Sequence, residues 1–346
     1  MLLKEYLPEP TLVTKTTLVA APRFPVIDAH NHLGDTFGGD AIDWTRRPLP
    51  ELLELFERCA LRGLVDLDGM WGEAIFHTHL DAFKARDPQH FRVCCGVDWP
   101  AWAEHGDRFG EWAAAKLREH AQRGADGVKV WKDFGLSVRD QRGDLVAVAD
   151  PRLDPLWAAA GELGLPVYLH LADPVAFFQP LGPTNERWEE LQAHPDWHFP
   201  SPPYPPFLGI MEGMAQVIAR HPATTFIGAH AGCYAEDLGW VAQLMQRCPN
   251  FYIDISARIA EIGRQPYTAR RFFLQHADRI LFGTDSPLSL PMYQLHYRFL
   301  ESDDEYFPYG LSRRPSQGRW SIYGLYLPPD VLEKIYFQNA ARLFHF

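Results

Sequence analysis

VIDAHNHLGD, residues 26–35, decides the architecture. An apolar start leads straight into carboxylate and imidazole side chains, without the glycine-rich turn that an open doubly wound sheet places after its first strand to cradle phosphates. Seven more apolar runs bounded by turn residues follow: GLVDLD (63–68), FRVCCGV (91–97), GVKVW (127–131), PVYLH (166–170), TTFIGAH (224–230), FYIDIS (251–256) and ILFGTD (280–285). Between them lie stretches of helical period such as PELLELFERCAL, WGEAIFHTHLDAFKAR, RFGEWAAAKLREHAQ and EDLGWVAQLMQR. In one of these, Asp154 is expected as N-cap, Pro155 in the first turn and Gly164 beyond the end.

Eight strand–helix alternations specify a parallel sheet that closes into a single (β/α)8 TIM barrel of ~250 residues. The chain has 346 residues, so the excess must be placed. Residues 1–25 are read as an N-terminal arm and 26–346 as the barrel. Strand starts are separated by 37, 28, 36, 39, 58, 27 and 29 residues, so the long gap follows strand 5. Its content, FFQPLGPTNERWEELQAHPDWHFPSPPYPPF, reads as a lid over the mouth, and residues 286–328 form a second long loop after strand 8.

Composition bounds the function classes. With 47% apolar and 13% aromatic residues the chain can build a large core, which excludes disorder and low-complexity scaffolding. A formal charge of −11, without a basic stripe, speaks against nucleic acid. Five cysteines without a CxxC pair argue against a disulfide framework and against a cysteine metal site. The opening MLLKEYLPEPTLVTK lacks the continuous apolar core of a secretory signal, and no run is long enough to span a bilayer, so the expectation is a cytoplasmic protein with no membrane partner.

A barrel carries its chemistry at the C-terminal ends of its strands. Strand 1 ends in Asp28, His30 and His32, strand 5 in His170, strand 6 in His230 and strand 8 in Asp285. Alternation puts Asp28, His30 and His32 on one inner face, Tyr168 with His170, and Gly228 with His230. Two histidines one residue apart, joined by a further imidazole and a carboxylate from across the barrel, meet the needs of a divalent metal with an open position for water. A second HxH, His77 and His79, falls in a helical stretch where residues two apart face different ways, so it is not read as a metal pair.

The combination resembles the amidohydrolase superfamily, and more narrowly its amidohydrolase-related branch (family 2), whose members include aminocarboxymuconate-semialdehyde decarboxylase and other decarboxylases and hydrolases. VIDAHNHL, LPVYLHLADP, TTFIGAHAG, ILFGTDSP and the closing helix EKIYFQNAARLF carry the resemblance. It implies that His30, His32, His170 and Asp285 bind one metal, usually zinc, with His230 catalytic beside it. Relatives in the wider superfamily carry a strand 4 lysine that becomes carboxylated and bridges two metals, which leaves a second metal at Lys129 as an alternative.

The expected activity is hydrolysis: metal-bound hydroxide attacks a C–O or C–N acyl bond of a small, carboxylated substrate, with Asp285 moving the proton and His230 orienting water or holding the oxyanion. Three alternatives stand beside it. One is non-oxidative decarboxylation on the same metal and fold, another a Schiff-base enzyme using Lys129, and the last a non-catalytic barrel. Arg258 and Arg187 could hold a substrate carboxylate bidentately or make ordinary ion pairs. Trp188, Trp197, Phe199 and Tyr204 are candidates for the pocket wall, Cys94 and Cys95 read as small core residues, and a homodimer is left open as the assembly.

Overall fold

A computed structural model describes residues 5–35 and 43–346. Its eight strands occur at the eight apolar runs: β1 (Val26–Asn31), β2 (Leu61–Gly69), β3 (Phe91–Cys95), β4 (Gly127–Val130), β5 (Val167–Leu169), β6 (Phe226–Gly228), β7 (Phe251–Asp254) and β8 (Ile280–Leu281). They pair in parallel and in sequence order. The ring closes between β8 and β1, where the Ala29 N–H donates to the Phe282 carbonyl and the Asp285 N–H to the His30 carbonyl, each at 2.9 Å. The molecule is a (β/α)8 barrel.

Eight helices follow the strands in turn: α1 (Leu49–Cys59), α2 (Glu73–His79), α3 (Phe109–Arg123), α4 (Asp154–Glu162), α5 (Phe207–Arg220), α6 (Leu238–Arg247), α7 (Pro266–His276) and α8 (Leu290–Glu301). α8 lies inside the stretch read from sequence as a loop, because LPMYQLHYRFLE buries Tyr293, Tyr297, Phe299 and Leu300 on one face. The expected cap Asp154 is the first residue of α4, because Asp150 caps a 3-10 turn, Pro151–Leu153, that runs into the helix. Asp154 is instead turned to Arg220 and His221, at 2.8 and 3.0 Å.

Two layers of core result. The inner one, inside the barrel, holds Ile27, Ala29, Val65, Leu67, Cys94, Tyr168, Ile227 and Leu281, and is plugged from the C-terminal helix by Ala340 and Phe344. Gly63 leaves room there, since a Cβ on it would meet the Phe346 ring at 2.3 Å. The outer layer packs the helices on the sheet and takes Cys95, so the two cysteines are buried in different layers. Arm residues Lys15 and Thr17 reach Asp303 and Asp304 on the loop after α8. Among the described residues no helix is long and apolar enough to cross a membrane.

The seam between β1 and β8 departs from simple alternation. Ile27 and Ala29 face inward, so Asp28 faces outward between β8 and α8. There its carboxylate accepts from Thr284 Oγ1 (2.6 Å), Tyr293 OH (2.7 Å), Asn31 Nδ2 (2.9 Å) and the Thr284 N–H (3.1 Å). The register with β2 slips between Asp28 and Asn31, and this extra residue turns His30 back toward the mouth. The expectation that Asp28 shares a face with His30 is therefore corrected: a bulge separates them.

A fully buried carboxylate with this many donors is costly to remove, because each donor is left unpaired. Asp28→Ala should cost about 3 kcal/mol or more in urea denaturation. Tyr293→Phe, which deletes one hydroxyl, should cost about 2 kcal/mol. A change below half these values in both variants would show that the seam closes without the carboxylate.

Candidate metal centre at the barrel mouth

Five expected side chains converge. His30 Nε2, His230 Nε2 and one Asp285 oxygen belong to a group whose ligand atoms all lie within 4.8 Å of one another. His32 Nε2 is 3.5 Å from Asp285 Oδ1, and His170 Nδ1 is 3.1 Å from His230 Nε2. All four imidazoles are buried, and Asp285 keeps 24% of its side chain exposed at the mouth.

Backbone geometry places two of them. Gly228 does not share an inner face with His230, as alternation alone suggests, because Ile227 is the inward residue of β6. His230 enters by a left-handed turn (φ 59°), continued by Ala231 (φ 58°), and its N–H is held by Asp254 Oδ1 at 2.9 Å. Asp285 is also left-handed (φ 48°), with its N–H tied to His30. Such conformations are strained for residues with a Cβ and persist where surrounding hydrogen bonds over-determine them.

Each imidazole is fixed through the nitrogen that faces away from the centre. His30 Nδ1 donates to Asp254 Oδ2 (2.7 Å), His32 Nδ1 to Asp68 Oδ1 (2.8 Å), His230 Nδ1 to the Ser256 carbonyl (2.9 Å), and His170 Nε2 to Asp173 Oδ1 (3.3 Å). The remaining nitrogens of His30, His170 and His230 then face the centre as acceptors, with Lys129 Nζ 3.3 Å from that of His30. Two of those acceptors, on His230 and His170, face each other at 3.1 Å, which is repulsive unless a cation or proton lies at hand. This donor set fits a divalent metal of borderline hardness.

Protonation states agree with that fit. Burial draws His30 below its ordinary value and His170 to about 3, and drives His230 well below, with His170 and Arg258 adding to the last. Burial works against the charge on Asp285, yet His30, His32 and Lys129 around it hold its carboxyl below the ordinary value. Neutral imidazoles and an ionised carboxylate are the forms that ligate.

Lys129 points inward and is 1% exposed, with Nζ 3.3 Å from His30 Nε2, and burial lowers its pKa. Lys132, in the turn after β4, lines the mouth and pairs with Asp173. Arg187 is not at the surface: it is 1% exposed and paired with Glu190 at 2.7 Å and with Glu261. The strand 5 insertion supplies Phe177, Arg187, Glu190 and Trp197 to a cavity of about 390 Å³ that also holds His32, His170, His230, Asp285, Arg258 and Trp131. Trp188 is 37% exposed and does not line it, while Phe199 and Tyr204 pack against each other.

Sequence reasoning passed over Asp254, Ser256, Asp66 and Asp68. The signal was present in the alternating carboxylates of GLVDLD and in FYIDIS, where Asp254 and Ser256 follow Tyr252 at intervals of two. His77 and His79 do diverge, as expected, but His79 has its own place: Nδ1 meets Asp66 Oδ2 at 2.5 Å, in a buried group with Asp68 that backs His32.

The sequence model of the family Amidohydro_2, described as amidohydrolase, matches residues 27–346. No curated protein matches the chain in sequence. Among solved structures, 2,6-dihydroxybenzoate decarboxylase from Rhizobium aligns with TM-score 0.57 at 18% identity, over 93% of this chain and 98% of that one. The 5-carboxyvanillate decarboxylase LigW from Sphingomonas paucimobilis aligns at 0.53 and 13%, over 93% and 99%. A 5-carboxyvanillate decarboxylase from Novosphingobium aromaticivorans, complexed with manganese, aligns at 0.51 and 13%, over 86% and 80%. At these identities the likeness is one of fold.

Burial opposes a charge on His79, but Asp66 and then Asp68 raise its pKa to about 9. A raised histidine stabilises the fold fully below its unfolded pKa of ~6.5, and the contribution fades as pH rises through 9. Stability should therefore fall by about 2 kcal/mol between pH 7 and 9.5 in urea titrations, and His79→Gln should flatten that slope. An equally steep slope in the variant would place the titration elsewhere.

Proposed function

This chain belongs to the amidohydrolase family of enzymes, and on that premise we propose that it is a metal-dependent hydrolase of a small, carboxylated substrate. The observation that carries the reading is the convergence of four imidazoles and one carboxylate, every imidazole fixed from behind. His30, His32, His170 and Asp285 would hold the metal, with zinc the expected ion, and His230 lies close enough to join them. A divalent cation there supplies Lewis acidity and brings the pKa of water toward ~7.

The chain's own residues do the rest. Asp285, ionised and open to the mouth, accepts a proton from the attacking water and returns it to the leaving oxygen or nitrogen. His230, with its Nδ1 hydrogen committed to Ser256, offers Nε2 as an acceptor that orients the water. Asp254 and Ser256 keep both His30 and His230 in place, because Ser256 Oγ touches Nδ1 of each at 2.9 and 3.0 Å. The insertion after β5 walls the cavity with Phe177 and Trp197, which limits water at the reacting bond.

Non-oxidative decarboxylation is the second reading. It is supported by the fold neighbours that act on hydroxybenzoate-type acids and by the aromatic cavity wall. In that reaction a protonated group must deliver a proton to carbon. A soluble assay on a panel of small aromatic acids and esters separates the two: solvent ¹⁸O in the product marks hydrolysis, and carbon dioxide release without it marks decarboxylation.

Chelator treatment should abolish turnover and zinc or manganese should restore it. His30→Ala, His170→Ala and Asp285→Ala should each lose essentially all activity with an intact far-ultraviolet spectrum. His230→Ala should lower kcat by about 10²–10⁴ while keeping the metal stoichiometry. A metal-replete His170→Ala enzyme that retained most of its activity would overturn the site assignment, and borohydride trapping of Lys129 on substrate would replace it with imine chemistry.

A further inference from the structure

Two of the cations that line the cavity are already matched by carboxylates. Lys132 is spent on Asp173, and Arg187 on Glu190 and Glu261. Arg258 differs. It is 7% exposed and lines the same cavity as His170, His230 and Asp285, yet among the described residues its guanidinium has one hydrogen-bond acceptor, the carbonyl of Ala257 at 2.8 Å, and no carboxylate within 4 Å.

The backbone holds it there deliberately. Ala257 is left-handed (φ 51°), and its N–H is tied to the Thr284 carbonyl at 3.2 Å across the β7–β8 junction. The Arg258 N–H closes onto the Ile255 carbonyl at 3.2 Å. A strained turn two residues beyond Ser256 thus delivers a guanidinium beside the catalytic imidazole. Its charge is felt by Arg187 and Glu190, and those are committed to each other.

A guanidinium carries five N–H donors in a planar fork, and a single neutral acceptor leaves most of them open to whatever enters the cavity. The chemistry that satisfies it is a planar oxyanion accepting two parallel hydrogen bonds. Trp131, Phe177 and Trp197 wall the cavity, and the carboxylates that also line it, Asp173, Glu190 and Asp285, face Lys132, Arg187 and the imidazoles. The volume, about 390 Å³, lies at the small end of ligand pockets, which run ~300–1,000 Å³.

We propose that Arg258 is the specificity-determining residue: its guanidinium grips a carboxylate of the substrate other than the group that reacts. The substrate class is then a small planar acid whose second polar end meets the histidine–aspartate cluster while its body lies against Trp131, Phe177 and Trp197. The inference rests on reading the barrel mouth as the catalytic site. It assigns Arg187, ion-paired with Glu190 and Glu261, a different task, as a post within the insertion after β5 that touches no substrate.

The test is calorimetric titration of the zinc-loaded protein with benzene-1,3-dicarboxylate and with its monoamide, which has the same shape and one charge less. The native protein should bind the diacid at least tenfold more tightly than the monoamide. Arg258→Gln should bind the two equally and bind the diacid at least ~30-fold more weakly than the native protein. Arg258→Lys should recover part of the preference, since an ammonium restores charge but not the fork. The preference within the native protein is a reading independent of any variant's folding.

A native protein that does not distinguish diacid from monoamide overturns the proposal, as does Arg258→Gln with the preference intact. Zinc content measured on the same samples keeps the two readings apart. Full zinc with no diacid preference removes the role of Arg258 and leaves the metal centre standing. An Arg258-dependent preference in protein that takes up no zinc supports the anion site and removes the metal centre.

Discussion

The buried carboxylate of Asp28 is the constraint on which the rest of the mouth depends. A barrel of eight strands must close on itself, and here the last strand is only Ile280–Leu281 by its pairing with β7. The Asp28 side chain extends that edge by binding the Thr284 N–H and hydroxyl, and it recruits Tyr293 from α8 to the same point. Thr284 immediately precedes Asp285, and Asp28 immediately precedes the bulge that swings His30 inward. One ionic hydrogen-bonding node therefore sets the distance between the strand 1 histidines and the strand 8 carboxylate, the two halves of the centre that are farthest apart in sequence.

Around that node the protein handles buried polarity by a repeated device. Each inward imidazole is backed by an oxygen from another strand or loop: Asp254 behind His30, Asp68 behind His32, Asp173 behind His170, the Ser256 carbonyl behind His230. Such partners settle the tautomer, orient the ring and raise its basicity as a ligand. Asp68 shows how far the support extends. Burial opposes its charge, but hydrogen bonds from His32 and the Gly34 N–H hold its carboxyl at about 2, while Asp66 and His79 close the network behind it. Against this background of matched pairs, Arg258 is conspicuous for having, among the described residues, only a backbone acceptor.

Much of this was legible in the chain itself. The eight runs, their order and the absence of a glycine-rich phosphate turn lead to a closed parallel barrel, and the residues on which the runs end converge at one mouth. Both follow from period-2 alternation and from the rule that barrel chemistry sits at strand ends. Where alternation alone was extrapolated past the regular strand it failed. Asp28 faces α8 because of the bulge, and His230 comes inward through a left-handed turn and not in phase with Gly228. Helix α8 was hidden in a long, proline- and aromatic-rich connection where length suggested a loop.

Local pattern therefore determined the architecture, the identity of the titratable side chains and the end of the barrel that carries them, since these depend on periodicities a short window contains. Tertiary structure decided which oxygen backs each imidazole, which arginine is neutralised and which is left facing the cavity, and that the strand 8 carboxylate is bound to the strand 1 histidines through Asp28. Those outcomes rest on distances between segments far apart in sequence, such as Asp28 and Thr284 with a separation of 256. No periodicity encodes such a distance. It is set by barrel closure, where burial makes every unpaired charge or hydrogen-bond group costly enough to choose its partner.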